Sequence, residues 1–158
     1  MRVTFKWAAL LALFTGCRAR PLPPPTVADL RFPVVVIYGK SSVVLFKDAA
    51  DLGTMGISHL NNVTGPPPLI DSSFAVYRLA GLASTHGGLW LMAHPTGSTP
   101  VKFELQRAPA SSIEVARGLL RQRLAEQAWR TDLEVKRRQL DAEQTLEGML
   151  GIVQGRGE

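Results

Sequence analysis

The first seventeen residues constrain the location of the protein more than any other part of the sequence. The segment has a short basic start, an uninterrupted apolar run over residues 7–14, and small residues that lead to Cys17, the only cysteine in the sequence. An apolar run of about eight residues is too short to span a bilayer, which takes about 20. The pattern therefore predicts a secretory signal.

The end of this segment, Thr15-Gly16-Cys17, resembles the lipobox of bacterial lipoprotein signal peptides, in which small residues precede a cysteine. That family usually has Leu three residues before the cysteine, where this chain has Phe14. The resemblance implies that Cys17 receives a diacylglyceryl thioether, that cleavage removes residues 1–16, and that the new amino group is acylated, with palmitate as the expected lipid. Two or three acyl chains hold a protein stably, whereas one holds it only marginally.

The resemblance also implies a location for the protein. A lipoprotein of this kind is held on the periplasmic face of the bacterial cell envelope. Arg18 stands where an aspartate would retain it in the inner membrane, so sorting to the outer membrane is expected. The alternative for the same residues is an ordinary cleaved signal that leaves a stray thiol. A secreted chain with a single cysteine has no disulfide partner for that thiol, which disfavours the alternative.

Without a cysteine pair, the mature domain must be held together by packing alone. Removal of 16 of the 158 residues leaves 142, which is enough for one domain. Arg2 and Lys6 leave with the signal, so 16 basic residues face 13 acidic ones and the mature net charge is +3. A surplus this small gives no support to nucleic-acid binding.

Residues 17–31 are predicted to be a Pro-rich tether. Four prolines fall between residues 18 and 29, and they favour an extended polyproline geometry with no internal hydrogen bonds. Such a segment, directly behind a lipidated cysteine, would lift the folded domain off the membrane. We expect it to bury nothing.

Residues 32–107 are predicted to form an antiparallel β domain of about five or six strands. Two β-branched and aromatic runs, residues 34–38 and 42–46, flank Gly39-Lys40-Ser41 and indicate a hairpin. Both faces of each run are apolar, so both strands are expected at the centre of a sheet that is covered on two sides. Further strands are predicted at residues 55–63, 74–79, 89–93 and 101–105, the last with Val101, Phe103 and Leu105 facing inward.

Residues 108–153 are predicted to be helical, because the period of the apolar residues changes after Pro109. Ser111 followed by Glu114 is a capping box that opens a helix. A second capping box at residues 131–134 would break the helix there; otherwise one helix continues to about residue 153. The side of the first half that is expected to pack on the sheet carries Ile113, Ala116, Leu120 and Leu124.

In the distal half of the helical segment, the apolar side chains lie on the opposite side of the helix from those of the first half. Trp129, Leu133 and Leu140 share a face roughly opposite Leu120. An apolar stripe on a projecting helix is a common form of protein recognition. These three residues are therefore the candidates for binding a protein partner or for self-association. Residues 154–158 are expected to be a disordered tail.

The strongest candidate for chemistry is His86-Gly87-Gly88, which resembles the oxyanion loop of some esterases. The sequence has no Gly-x-Ser-x-Gly elbow to accompany it, so a turn between strands explains the stretch without catalysis. Asp71 and the two serines after it are likewise more typical of a turn than of half a hydrolytic pair. His59, His86 and His94 could gather around a metal with Asp71, but none of the three histidines stands at the short spacings that place ligands on one element. No metal and no cofactor are therefore predicted.

The sequence therefore predicts an α+β protein, with an antiparallel sheet of about five or six strands followed by a long or broken C-terminal α-helix. The favoured function is that of a lipid-anchored envelope protein without catalytic activity, which serves as an interaction module or as a structural one that binds cell-wall polymer. The alternative is a small periplasmic hydrolase or metal enzyme that uses His86, Asp71 and nearby serines. Clustering of those side chains in one pocket would favour the enzyme, and their dispersal would favour the binding module.

Overall fold

The computed structural model describes residues 23–39, 42–61, 63, 65–93, 97–127 and 131–155. These residues form an α+β fold built on a six-stranded antiparallel sheet. The strands are β1 (Val34–Tyr38), β2 (Ser42–Phe46), β3 (Thr54–Gly56), β4 (Pro68–Asp71), β5 (Val76–Ser84) and β6 (Ser98–Arg107). The helices are α1 (Ala49–Leu52), α2 (Ile57–Asn61), α3 (Gly88–Ala93), α4 (Ile113–Ala125), α5 (Leu133–Ala142) and α6 (Leu146–Gln154). No helix among these residues combines the length and the apolar character needed to cross a membrane.

The strands lie in the order β2-β1-β4-β5-β6-β3, and neighbouring strands are antiparallel. The predicted hairpin is confirmed: β1 pairs with β2 from Val34 opposite Phe46 to Tyr38 opposite Ser42. Gly39 has a φ of 47°, which favours glycine at this turn. The prediction that both strands are central is correct only for β1. β2 is an edge strand, because the second partner of β1 is β4 and the chain leaves β2 for the short helix α1.

Alternate residues of β1 face two different cores, one on each side of the sheet. The first core lies where the sheet curls over its own face, and it contains Leu30, Val34, Val36, Tyr38, Phe46, Leu52, Met55, Leu69, Tyr77, Leu79 and Leu105. The second core joins the sheet to the C-terminal helices, and it contains Val35, Ile37, Ile70, Val76, Ala116, Leu120, Leu140, Leu146, Met149, Leu150 and Val153. All five residues of β1 are consequently buried.

The C-terminal segment is three short helices and not one long helix. α4 begins one residue later than the predicted capping box, since Ser112 is its N-cap and accepts through Oγ from the backbone N–H of Val115 at 3.2 Å. Ser111 contacts the sheet instead, where its Oγ accepts from the N–H of Val76 at 3.0 Å. The predicted inward side of the helix is confirmed, with Ile113 partly buried and Ala116, Leu120 and Leu124 fully buried.

The chain changes direction after α4 and again after α5. As a result, α5 and α6 both pack against the second core. α4 ends at Ala125, and α5 begins after an N-cap at Asp132, one residue beyond the predicted start of the second capping box. The break agrees with one of the two alternatives that the sequence left open. Residues 154 and 155, assigned to the tail from the sequence, complete α6 and its left-handed C-cap.

Two further segments differ from expectation. Residues 89–93, predicted as a strand, lie in α3. Of residues 55–63, predicted as one strand, residues 55 and 56 lie in β3 and residues 57–61 lie in α2. A short apolar run without clear alternation does not distinguish a buried strand from a helix. The β6 sequence does alternate, and there the prediction is confirmed: positions 101, 103 and 105 are buried or half-buried, and positions 102 and 104 are exposed.

The last residues of the predicted tether belong to the fold. One turn of 3-10 helix spans Val27–Asp29, and the Asp29 carboxylate accepts from the backbone N–H of Thr26 at 2.7 Å. Leu30 is buried in the first core, and Val27 packs against that core. The expectation that residues 17–31 bury nothing is therefore wrong for this end of the segment.

Candidate functional site

Two of the predicted site residues, Cys17 and Trp129, lie outside the described residues, and so does His94. Lipidation of Cys17 therefore stays a prediction from the sequence. The other candidates have defined positions: two leucines of the distal helix, Asp71 with its serines, and two of the histidines.

Of the predicted partner-binding face of the distal helix, Leu140 is turned into the protein. Leu140 has no exposed surface and lies with Leu120 in the second core. Leu133 is half-buried. The reversal after α4 is the reason, because it turns α5 so that its Leu140 side meets the core that α4 also lines. The large apolar side chain of α5 that reaches solvent is Val135, which is 58% exposed.

Asp71 holds the turn between β4 and β5. Its side chain is buried, and Oδ1 accepts from Ser73 N–H at 2.9 Å, from Ser73 Oγ at 2.7 Å and from Ala75 N–H at 3.0 Å. Oδ2 accepts from the N–H of Arg31 at 3.3 Å. Each of these bonds fixes the local chain path, so the interpretation of this triplet as a turn is confirmed.

Asp71 precedes the first residue of β5, and His86 follows the last one, so the two residues lie at opposite ends of this strand. β5 contains nine residues, and at about 3.3 Å per residue a regular strand of this length separates its ends by roughly 26 Å, an upper bound here because β5 is irregular between Ala80 and Ala83. The hydrolase alternative needs His86 and Asp71 in one pocket. The structure does not bring these two side chains together.

A network of hydroxyl groups surrounds His86. Thr99 is fully buried, and its Oγ1 lies 2.8 Å from Ser84 Oγ and 2.9 Å from His86 Nδ1. The backbone N–H of His86 donates to Ser84 Oγ at 3.0 Å and so closes a ring of hydrogen bonds. The imidazole also stacks on Trp90, with ring centroids 4.1 Å apart. Sequence reasoning missed Thr99, because no motif marks it and only the pairing of β5 with β6 places it here.

Among the described residues, the hydrogen bonds around the His86 ring bring no accessible nucleophile to it. Nucleophilic catalysis needs a hydroxyl that reaches both the histidine and a substrate. The hydroxyl bonded to the ring belongs to Thr99, which has no exposed surface. Ser84 lies one hydrogen bond further from the ring. The bonds therefore fasten the end of the β5–β6 pair at the point where the chain continues into α3.

His59 packs beside the first core. Its ring stacks on Tyr38 with centroids 5.4 Å apart, and its Nδ1 lies 3.2 Å from Ser42 Oγ. The Tyr38 hydroxyl donates to Met55 Sδ at 3.0 Å, and burial raises the pKa of Tyr38 well above its usual range. Within the described ranges, no three His, Cys, Asp or Glu side chains lie close enough to share a metal ion.

The corner between α5 and α6 is held by polar contacts and bounds an open groove of about 540 Å³. The Glu143 carboxylate lies against Gly148 so closely that a Cβ at that position would overlap it. Hydrogen bonds from the Thr145 side chain, and then from the backbone N–H groups of Thr145 and Gln144, lower the pKa of Glu143. Arg117 Nη2 donates to the Glu143 carbonyl at 2.6 Å. These contacts fix the turn that directs α6 to the second core.

The outer edge of β2 is a feature that the sequence did not indicate, because both strands of the hairpin have the same apolar pattern. One described side chain is bonded to this edge: Gln154 Nε2 donates to the Val43 carbonyl at 2.7 Å. Strand edges with open backbone groups can accept a further strand. The edge of β2 is therefore a candidate interaction surface, and it lies far along the chain from the residues proposed for that role.

Comparison of the chain with protein-family models, with curated proteins and with solved structures gave no match.

Proposed function

We propose that this chain is a lipid-anchored protein of the bacterial cell envelope, held by acyl chains on Cys17 at the periplasmic face, most simply of the outer membrane. The observation that carries the proposal is the order of features in residues 1–17: a basic start, a short apolar run, small residues and a single cysteine. An apolar run of this length suits a cleaved signal and is too short for a membrane span.

The position of the folded domain is compatible with such an anchor. Among the described residues, which begin at position 23, the first that packs against a core is Val27, ten positions after Cys17. A chain of ten residues reaches at most about 35 Å when fully extended. A domain tethered in this way would stay within that distance of the bilayer, where it could contact other envelope components without entering the membrane.

We further propose that the domain serves as an interaction or structural module and not as a catalyst. The dispersal of the candidate catalytic side chains supports this part of the proposal. Asp71 stabilises a turn at one end of β5, His86 belongs to a hydrogen-bonded ring beyond the other end, and the hydroxyl next to its imidazole is buried. An interaction module requires an accessible surface, and the edge of β2 provides one.

Replacement of the anchoring sulfur tests the proposal. The full chain and its Cys17→Ser variant would be expressed in a bacterium that processes lipoproteins, with labelled palmitate in the medium. The original chain should incorporate label and fractionate with membranes, and Cys17→Ser should do neither. Thr15→Ala is the matched control, because it keeps a small residue before the cysteine and should be processed normally. Membrane fractionation of a processed Cys17→Ser chain would refute the lipid anchor.

A further inference from the structure

The outer edge of β2 presents four outward backbone groups, of which the described residues take up one. β2 is the last strand of the sheet, and the Val43 carbonyl accepts a hydrogen bond from Gln154 Nε2 on the side away from β1. In an antiparallel pair, a residue directs both of its backbone groups to the same side, and the side alternates along the strand. The backbone N–H and C=O groups of Leu45 therefore point away from β1, as those of Val43 do. Together the two residues offer two N–H and two C=O groups.

β2 also lacks the features that usually protect an edge. Natural edge strands carry charges or proline, contain bulges or are very short. Residues 42–46 read Ser-Val-Val-Leu-Phe, and their register with β1 is regular from end to end. Val43, Val44 and Leu45 are only half-buried. An extended strand could therefore add to this edge through main-chain hydrogen bonds.

We propose that β2 pairs with β2 of a second copy of this chain, antiparallel and about a twofold axis at Val44. In this register Val43 of each copy lies opposite Leu45 of the other, and the outward groups of both residues form N–H···O=C bonds. Twofold registers centred on Val43 or on Leu45 would place the remaining outward residue against position 41 or 47, outside β2. Two identical antiparallel strands are complementary to each other, as a twofold interface requires.

The position of the tether favours a second copy as the occupant, and this step rests on the proposed function. The axis that relates two antiparallel neighbours in a sheet is perpendicular to the sheet, so each face of one copy continues as the same face of the other. Val27 and Leu30 pack on the first-core face, and the C-terminal helices cover the other face. Both copies therefore carry their N-terminal segments on one side, as two chains anchored in one membrane must.

Membrane anchoring also supplies the concentration that a small interface needs. Pairing of two five-residue strands adds few hydrogen bonds, so we expect association to be weak for the chain in solution. Attachment of many copies to one surface raises their effective concentration. Dimers should therefore form mainly on the membrane.

A disulfide trap at the twofold axis tests the register. Directly opposed residues that are not hydrogen-bonded to each other lie about 4.5 Å apart at their Cα atoms, within the range that a disulfide spans. Val44→Cys would introduce the only thiol besides Cys17, whose sulfur is blocked once it is lipidated. Val135→Cys is the control for random collision, because position 135 is 58% exposed. In membranes under mild oxidation, we expect Val44→Cys to cross-link at least tenfold faster than Val135→Cys. Equal or slower cross-linking would overturn the proposal.

Two further variants examine the backbone groups themselves. Leu45→Pro removes an outward N–H and leaves the β1 ladder intact, since proline is tolerated on the open side of an edge strand. Added to Val44→Cys, it should reduce cross-linking at least tenfold while the circular dichroism spectrum is retained. Gln154→Ala frees the Val43 carbonyl and should increase cross-linking about two- to tenfold, the range of one net hydrogen bond. A decrease with Gln154→Ala would contradict the proposed pairing even if Leu45→Pro fails to fold.

The trap separates this proposal from the anchor on which it rests. If the chain stays with membranes but Val44→Cys does not cross-link, the β2 proposal is wrong and the anchor stands. If the chain proves not to be anchored, the Cys17→Ser/Val44→Cys chain at high concentration in solution still tests the pairing. Preferential cross-linking at position 44 would then support it, and its absence would refute it.

Discussion

Leu140→Ala should destabilise the chain about as much as Leu120→Ala. Both side chains have no exposed surface, and both lie in the second core. Truncation of a fully buried Leu to Ala loses the transfer free energy of the removed carbons and leaves a cavity, at a total cost of about 2–5 kcal/mol. Domains of this size are usually stable by about 5–15 kcal/mol, so either variant should remain folded at 25 °C.

Urea unfolding followed by circular dichroism measures this effect. With a urea m-value of about 2 kcal/mol/M, a cost of about 2–5 kcal/mol lowers the midpoint by about 1–2.5 M at an unchanged m-value. Leu133→Ala is the matched control on the same helix, because Leu133 is half-buried and its truncation should cost about 1 kcal/mol. If Leu140→Ala costs no more than Leu133→Ala, α5 does not pack on the second core. Leu140 would then again be available to a partner.

Three further changes follow from individual contacts. Thr99→Val keeps the side-chain shape but leaves the Ser84 hydroxyl and His86 Nδ1 without their common partner, so thermal unfolding should report a loss of about 1–3 kcal/mol. Hydrogen bonds lower the folded-state pKa of Glu143 from its ordinary 4.5, so their contribution is present above that pH and is lost as the pH falls through the folded-state value. Glu143→Gln should therefore flatten the acid side of the stability–pH curve, and an unchanged curve would contradict this. Burial raises the pKa of Tyr38 above its ordinary 10, so as the pH rises the Tyr38 hydroxyl ionises in the unfolded chain before it ionises in the folded one. Ionisation lowers the free energy of the unfolded chain, and the free energy of unfolding should therefore fall as the pH rises past about 10. Tyr38→Phe should reduce that alkaline loss, measured by urea midpoints at pH 8 and 11.

Local sequence patterns predicted correctly those elements whose structure depends on residues close together in the chain. The hairpin of β1 and β2 follows from two apolar runs and the glycine between them, and the alternation of β6 shows which side chains face inward. The Asp71 turn also depends on short-range bonds, to Ser73 and Ala75. Each of these elements was predicted because its determinants lie within about ten residues.

The remaining features depend on contacts between distant segments. β2 and β1 have equally apolar sequences, and only the choice of β4 as the second partner of β1 makes β2 an edge. On one continuous helix, Leu140 would lie opposite Leu120. The break after Ala125 changes the direction of α5, and both residues are buried in one core. The sequence indicated one face of α5 as the candidate interaction surface and the structure indicates the edge of β2, because both depend on contacts between distant segments.

Gly148→Ala is a case in which the sequence and the structure predict opposite signs. Gly inside a helix costs up to about 1 kcal/mol relative to Ala, and Gly148 is the third residue of α6, so the sequence of α6 alone predicts that Gly148→Ala is stabilising. The structure places the Glu143 carboxylate where the new Cβ would lie, and that carboxylate accepts hydrogen bonds from the backbone and the side chain of Thr145. The substitution should therefore displace Glu143 and lower the melting temperature. In a Glu143→Ala background the obstruction is gone, and Gly148→Ala should instead stabilise the chain by about 1 kcal/mol. Thermal unfolding of the original chain and of the two single variants and the double variant tests this prediction, because the same sign in both backgrounds would show that Glu143 does not occupy this position.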